Sequence, residues 1–387
     1  MDLYPHYHFI YPRRAHNRFE LLIDGEHFYP AMLQHIADAK HIICIEQYLI
    51  ISGKLVDDFI TALTRAANRG VRVFLLLDDY GVRLLTNADR ARLHTTGIQL
   101  CLYNPFSWSN LYRSLRRDHR KVFIVDGQSA YIGGAGLADN FIQPLHNEPV
   151  WHDVVIKIEG ELVADWFDSF HVLWQTCTGQ RIDFVLPAAT TSGSQSGQVH
   201  VATSHFHNEI VRAALSHIHK AKTRIWIATP YFIITRKLRR FLRNAALHGV
   251  DVRLLLTGPH SDHPWVSHAA RHHYHGLLRH GIRIFEYQPR FIHAKILLCD
   301  DWVSMGSSNL DRWNQRWNLD ANQSVHSAEF TAQVTRLFTQ DFAMSQEITT
   351  ANWQQRPWRQ RWHEGFFGRV LVVFSWLEYW FIYWHRK

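Results

Sequence analysis

Along this chain, short continuous apolar runs alternate with stretches whose apolar positions recur every three or four residues. The first kind reads as buried strand and the second as amphipathic helix. Tyr29–Ala39 has helical spacing. His41–Ile50 (HIICIEQYLI) is a strand carrying Glu46. Leu55–Asn68 is an amphipathic helix stopped at Gly70, a residue free to take the left-handed C-cap conformation. Val71–Leu77 is a buried strand, Leu93–Gly97 closes another helix, and Ile98–Tyr103 is a short strand. The basic loop Tyr112–Arg117 follows.

The same order then recurs. Ile210–Lys222 predicts a helix, Arg224–Phe232 (RIWIATPYF) a strand matching HIICIEQYL, Leu238–His248 a helix ending at Gly249, and Val250–Leu256 a strand. Leu277–Gly281 and Ile282–Tyr287 match Leu93–Gly97 and Ile98–Tyr103. The near-constant offset marks an internal duplication, and strands alternating with helices predict an α/β fold in each half. Between the halves, Pro187–Gly197 is small, polar and aperiodic, and reads as a linker. The expected division is a first lobe at 1–183, a linker at 184–198, a second lobe at 199–346 and a tail at 347–387.

After the short strand in each half comes one motif, HxKxxxxD. The copies are His119, Lys121, Asp126 and His293, Lys295, Asp300, and the four positions before each Asp are apolar. Alternation would put His and Lys on one face of a strand, with the Asp closing the strand at a turn. A Gly-rich turn (Gly133-Gly134) follows the first copy and a Ser-rich one (Gly306–Asn309) the second.

The duplicated motif resembles the signature of the phospholipase D superfamily. Gly25–Pro30, Glu46–Tyr48 and Gly306–Asp311 are similar to the bacterial cardiolipin synthases of the short, B-type kind, without the two N-terminal membrane spans of the longer kind. The resemblance implies two duplicated α/β lobes packed as a pseudo-twofold pair around one shared active site. It implies a phosphatidyl transfer through a phospho-histidine, with His119 as nucleophile and His293 as acid and base. Lys121 and Lys295 would stabilise the nonbridging oxygens, with no metal and no cofactor. By the same resemblance Asp153 and Asp320 orient the histidines. Ser307, Asn309 and Gly134 belong to the phosphate-binding turns, and Arg116 and Arg117 are candidates for the headgroup. Asp126 and Asp300 complete the catalytic motifs and are expected to stabilise the motif turn rather than touch substrate. The family pattern GGxN is broken at Gly136, where Asn is missing; Asn140 is a possible substitute.

Composition narrows the partners. Apolar residues make up 47%, enough for large cores, and the formal charge of +8 favours a polyanion. That polyanion is either nucleic acid or an anionic membrane. The motifs favour a phospholipid substrate and an anionic membrane surface, with no nucleic acid, for a monomer. A nuclease, a hydrolase using water, and an inactive membrane scaffold are the alternatives. Cys44, Cys101, Cys177 and Cys299 show no CxxC spacing and read as free thiols. The histidines around 268–280 lack interleaved carboxylates and read as structural or solvent-exposed. Beyond residue 346, aromatics from Trp353 to Trp384 recur among Arg356, Arg359, Arg361 and Arg369. That tail is either a helix docked on the core or a membrane-surface element. No run of about 20 uncharged apolar residues occurs, so a peripheral protein on the cytoplasmic face of the inner membrane is expected.

Overall fold

The structure, a computed structural model, describes residues 10–95, 97–110, 114–189, 193–203, 207–311, 314–358 and 361–366. The first half contributes β1 (Arg14–Ile23), β2 (Ile42–Gln47), β3 (Arg72–Asp78), β4 (Gln99–Tyr103), β5 (Arg117–Asp118), β6 (Val122–Val125), β7 (Ser129–Gly133) and β8 (Val154–Gly160). The second contributes β9 (Gln195–Ala202), β10 (Arg224–Thr229), β11 (Asp251–Thr257), β12 (Arg283–Tyr287), β13 (Ile296–Cys299), β14 (Trp302–Gly306), β15 (Asn318–His326) and β16 (Ser345–Ile348).

These strands make one sheet, in the order β16-β12-β11-β10-β13-β14-β15-β9-β1-β8-β7-β6-β2-β3-β4, with β5 pairing β15 off that path. Outward from the antiparallel β1–β9 pair the two arms match strand for strand, except that β16 adds an antiparallel edge to the second. Each runs through an antiparallel trio (β8-β7-β6 or β15-β14-β13) into a parallel trio (β2-β3-β4 or β10-β11-β12). The duplication is thus a pseudo-twofold pair joined by a continuous ladder.

Alternation along the strands fills layers on both faces. On one face Ile42, Cys44, Phe74 and Leu76 of the first arm meet Trp226, Leu255 and Phe285 of the second, under the helices Leu162–Thr178 and Lys- and Arg-poor Ala328–Ala343. On the other face each arm has its own core. Ile43, Ile45, Val73 and Leu75 pack under Gly25–Asp38 and Lys54–Asn68, and Ile225, Ile227, Val252 and Leu254 pack under Glu209–Lys220 and Arg236–Leu247. One layer spans both arms, so burial of apolar surface holds the halves together.

Three sequence expectations change. The aperiodic 184–198 stretch already enters β9 at Gln195, because Gly197 and its neighbours pair with β15 and β1 although their side chains show no alternation. His119 and Lys121 precede β6, and His293 and Lys295 precede β13, rather than lying in strands. There the backbone turns towards the other arm, as described below. Of the tail, Thr350–Gln355 is a helix whose Trp353 is buried against Tyr274, at 5.2 Å between ring centroids. Residues 367–387, which carry most of the aromatic pattern, lie outside the described residues.

Candidate active site

Both motifs reach the seam between the arms by the same backbone device. β5 runs parallel to the start of β15, and the His119 N–H donates to the Leu319 carbonyl at 2.9 Å. In the other arm His152 bridges Ile292, and the His293 N–H donates to the His152 carbonyl at 2.7 Å. Each motif histidine therefore lies beside the segment that carries the other half's carboxylate, Asp320 in β15 and Asp153 just before β8.

The side chains cross accordingly. His119 Nδ1 lies 3.0 Å from Asp320 Oδ1, and His293 Nδ1 lies 2.6 Å from Asp153 Oδ2. A carboxylate at Nδ1 fixes the tautomer with the proton there and leaves Nε2 as the nitrogen available for chemistry. The Lys121 and Lys295 ammonium groups each donate to the carbonyl of their own motif histidine at 2.5 Å. Burial, then each lysine's surroundings, set the charges. Burial and the Lys295 charge push Lys121 down to about 7, and burial outweighs the nearby carboxylates to bring Lys295 down to about 8. Burial and Lys121 push His119 down to about 4, and burial and Lys295 lower His293. Burial would raise Asp153, but His293 and Lys295 hold it below the usual carboxylate range. The Lys295 charge acting on Lys121 shows that the motifs bring two buried lysines to one place, where the nonbridging oxygens of a phosphodiester can be received.

The remaining residues divide into those that meet the site and those that do not. Ser307 does not point a free hydroxyl at a phosphate: it donates to Asp320 Oδ1 at 2.7 Å and accepts from the Ala321 N–H at 3.0 Å, so it braces the carboxylate. Asn309 lines a cavity of about 10 Å³ with Lys295 and Thr229, and its buried Oδ1 has no hydrogen-bond partner among the described residues. Gly134 borders the site: a Cβ there would fall 2.9 Å from Asp153 Oδ2 and 3.1 Å from Lys295 Nζ. Arg117 uses its guanidinium inside the protein. It is buried, paired with Asp78 at 3.3 Å, and donates to the Ser114 carbonyl at 2.7 Å, because the loop before β5 needs its carbonyls satisfied. Arg116 is half-buried, and its carbonyl accepts from the Asn104 side chain at 2.7 Å.

Asp126 and Asp300 stand at the far ends of β6 and β13, not at the histidines. Each takes a left-handed backbone, φ 51° in both, and caps the turn that enters the neighbouring strand. Asp126 accepts from the Lys40, His41 and Ile42 amides at 2.8–2.9 Å, and Asp300 from those of Lys222, Thr223 and Arg224 at 2.9–3.0 Å. At Asp300 burial is outweighed by the Thr223 hydroxyl and these amides, which bring the carboxyl down to about 2. At Gly136 the missing Asn has a steric reason: a Cβ would sit 2.8 Å from Leu49 Cβ and 2.9 Å from its carbonyl oxygen. Asn140 offers its carbonyl to Trp151 N–H at 2.9 Å, and its buried Oδ1 has no hydrogen-bond partner among the described residues.

Sequence reasoning missed the support beneath His293. His152 holds Asp24 at 2.7 Å and Asp341 at 3.2 Å, while Arg290 holds Asp24 at 2.5 Å. Burial would lower His152, but the two carboxylates raise it to about 9. The cluster ties both arms together directly behind His293. Only adjacency to Asp153 in Trp151-His-Asp153 hinted at it. Aromatic rings also differ between the centres: Trp151, Phe141 and Phe291 lie 5.5, 5.6 and 5.8 Å from His293, and Tyr48 lies 4.9 Å from His119.

A family described as "Cardiolipin synthase, PLD-like domain" matches residues 32–174 and 214–342, one segment per arm. The chain belongs to this family. It is a phospholipase D-type phosphatidyltransferase of the cardiolipin synthase kind. Cardiolipin synthase A from Pseudomonas syringae pv. syringae is 32% identical over 350 residues, covering 87% of this chain and 71% of that one. A cardiolipin synthase from Geobacillus kaustophilus is 29% identical over 348 residues, covering 88% and 69%. The crystal structure of a phosphatidylserine synthase from Haemophilus influenzae shares the fold, with a TM-score of 0.71, 14% identity and 96% coverage of both chains.

Proposed function

We propose that the protein joins two phosphatidylglycerol molecules into cardiolipin and releases glycerol, through a covalent phospho-histidine. The phosphodiester of the donor enters between Lys121 and Lys295. His119 Nε2 attacks phosphorus while the P–O bond to the headgroup glycerol breaks. His293, raised by the arriving anion, gives its Nε2 proton to the leaving oxygen. The neutral His293 then takes the proton of the acceptor's glycerol hydroxyl, whose oxygen attacks phosphorus, and the His119–phosphorus bond breaks. Atoms and protons balance without an outside reagent, and the lysines carry the charge developing on the nonbridging oxygens.

The crossed pairing of His119 with Asp320 and of His293 with Asp153 carries this proposal, since a carboxylate on the Nδ1 of each ring leaves both Nε2 atoms for the chemistry. One chain supplies every group, so a monomer suffices. The enzyme acts as a short, B-type synthase from the cytoplasmic face of the inner membrane. Exposed Trp358, Trp362 and Phe366 support surface attachment, and no helix among the described residues is long and apolar enough to cross a membrane.

The test is lipid mass spectrometry after incubation with phosphatidylglycerol vesicles, with labelled single-stranded DNA in a parallel reaction. Cardiolipin and glycerol in equal amounts are expected, with the DNA intact. Phosphatidic acid as the main product would replace transfer by hydrolysis, and DNA cleavage would replace the lipid substrate.

A further inference from the structure

On the outer side of the second arm, the helix Arg236–Leu247 faces the helix Tyr274–Leu278 and the turn before it across an open pocket of about 210 Å³. Its lining is Arg239, Arg243, His272, His273 and Gly276. The space is several times the ~30 Å³ of one liquid water.

The two arginines are held in an unusual way. Arg239 Nη1 lies 2.9 Å from His273 Nδ1, and Arg243 lies 2.7 Å (Nη2) and 3.1 Å (Nε) from His280 Nε2. Burial, Arg239 and His272 push His273 down to about 4, so its Nδ1 accepts without carrying charge. His280 Nδ1 contacts the Gly276 carbonyl at 2.7 Å, which puts its proton there and leaves Nε2 to accept. The guanidinium groups are therefore aimed by imidazoles instead of carboxylates. Burial and the charges of Arg236 and Arg243 lower Arg239, a sign of crowded cations, and no carboxylate pairs with Arg239 or Arg243 among the described residues. Fixed and forked, such guanidinium groups match the geometry of a phosphate.

The surroundings indicate where that phosphate comes from. The segment leading into the pocket, Pro264–Arg271, exposes Trp265, and its His268 ring lies 5.7 Å from that of His363. The tail thus docks beside the pocket, leaving Trp265, Trp358, Trp362 and Phe366 exposed by 47, 72, 61 and 48%. Aromatic side chains next to arginines are what a bilayer's headgroup region accommodates.

We propose that this pocket is a second, non-catalytic site that seats the phosphate of an anionic bilayer phospholipid and so fixes how the enzyme lies on the membrane. It rests on the reading of the substrate as a membrane lipid, but uses none of the groups at the histidines.

The full chain would be compared with Arg239→Gln/Arg243→Gln and, separately, with Gly276→Glu. The glycine position is helical and a Cβ there meets nothing within 4 Å, so a carboxylate can enter the pocket without disturbing packing. Arg18→Gln/Arg65→Gln, an equal loss of exposed charge on the first arm, is the control. Both pocket variants should bind phosphatidylglycerol vesicles ~10- to 30-fold more weakly than wild type, as expected for about two lost arginine contacts with an anionic surface. The control should lose a few-fold at most. Turnover of a short-chain, monomeric donor should be unchanged in all three. Equal losses in the control and pocket variants would overturn the site in favour of diffuse charge. Pocket variants that lose affinity for inorganic phosphate but not for vesicles would overturn the membrane role. Vesicle binding absent even in wild type would sink the membrane reading itself.

Discussion

The two halves carry the same motif, yet they support the partner carboxylate differently. In the second half the position after Gly306 is Ser307, whose hydroxyl holds Asp320 and thereby His119. In the first half the same position is Gly134, and Asp153 occupies the space a side chain there would need. Asp153 is instead held by the Val154 N–H at 2.8 Å, with the His152 cluster packed behind His293. A duplicated fold has thus kept two histidines alike while giving each its own brace. Differently braced bases suit different tasks, one forming a bond to phosphorus and one moving protons.

The sharpest break of that comparison is removal of each histidine. His119→Ala and His293→Ala should each lose ~10²–10⁴-fold or more in turnover. Acid-quenched trapping with a labelled donor should find the adduct on His119 in wild type. Label on His293 would exchange the two roles.

The turn aspartates should behave alike in both halves and affect stability instead of chemistry. Each accepts three backbone amides; a hydrogen bond to a charged group contributes about 1.5–3 kcal/mol net when buried, and less in total at these half-buried turns, where water can take the freed amides. Asp126→Ala and Asp300→Ala should therefore each lose about 3 kcal/mol in denaturant unfolding, with kcat per folded molecule close to wild type. Loss of activity without loss of stability would place them in the chemistry.

The pH profile should be dominated by the lysines. Both are lowered, so each is charged below its value in the folded protein and neutral above it. kcat/KM should fall about tenfold per pH unit as pH rises past about 7, where Lys121 loses its proton, and more steeply past about 8 with Lys295. The unfolded chain keeps these protons up to about 10.4. Stability of the substrate-free protein should therefore rise with pH across that window, because the unfolded state binds more protons there. A flat kcat/KM between pH 6 and 9 would remove the lysines from phosphate binding.

The smallest effect tests the braces directly. Ser307→Ala should lower kcat several-fold by loosening Asp320, and Gly134→Ala should lower stability by about 1–3 kcal/mol through crowding of Asp153. Equal and negligible effects would mean that the asymmetry has no consequence.

Much of this was open to reading along the chain. The repeat of strand and helix periods fixed two α/β halves, because buried strands and amphipathic helices leave distinct hydrophobic periods. The two HxKxxxxD copies located the histidines and lysines, and the Asp before each turn marked its cap, since these are local features of one segment. The tertiary structure alone decided what crosses the seam. That Asp320 serves His119 and Asp153 serves His293 follows from β5 pairing β15 and His152 pairing Ile292, contacts between residues more than a hundred positions apart. The same holds where a residue type misled. Ser307 turned to a carboxylate and Arg117 to Asp78, while Gly136 gave way to Leu49, because the partner in each case comes from another strand or loop. Sequence records what a side chain can bond to; packing decides which of those bonds is within reach.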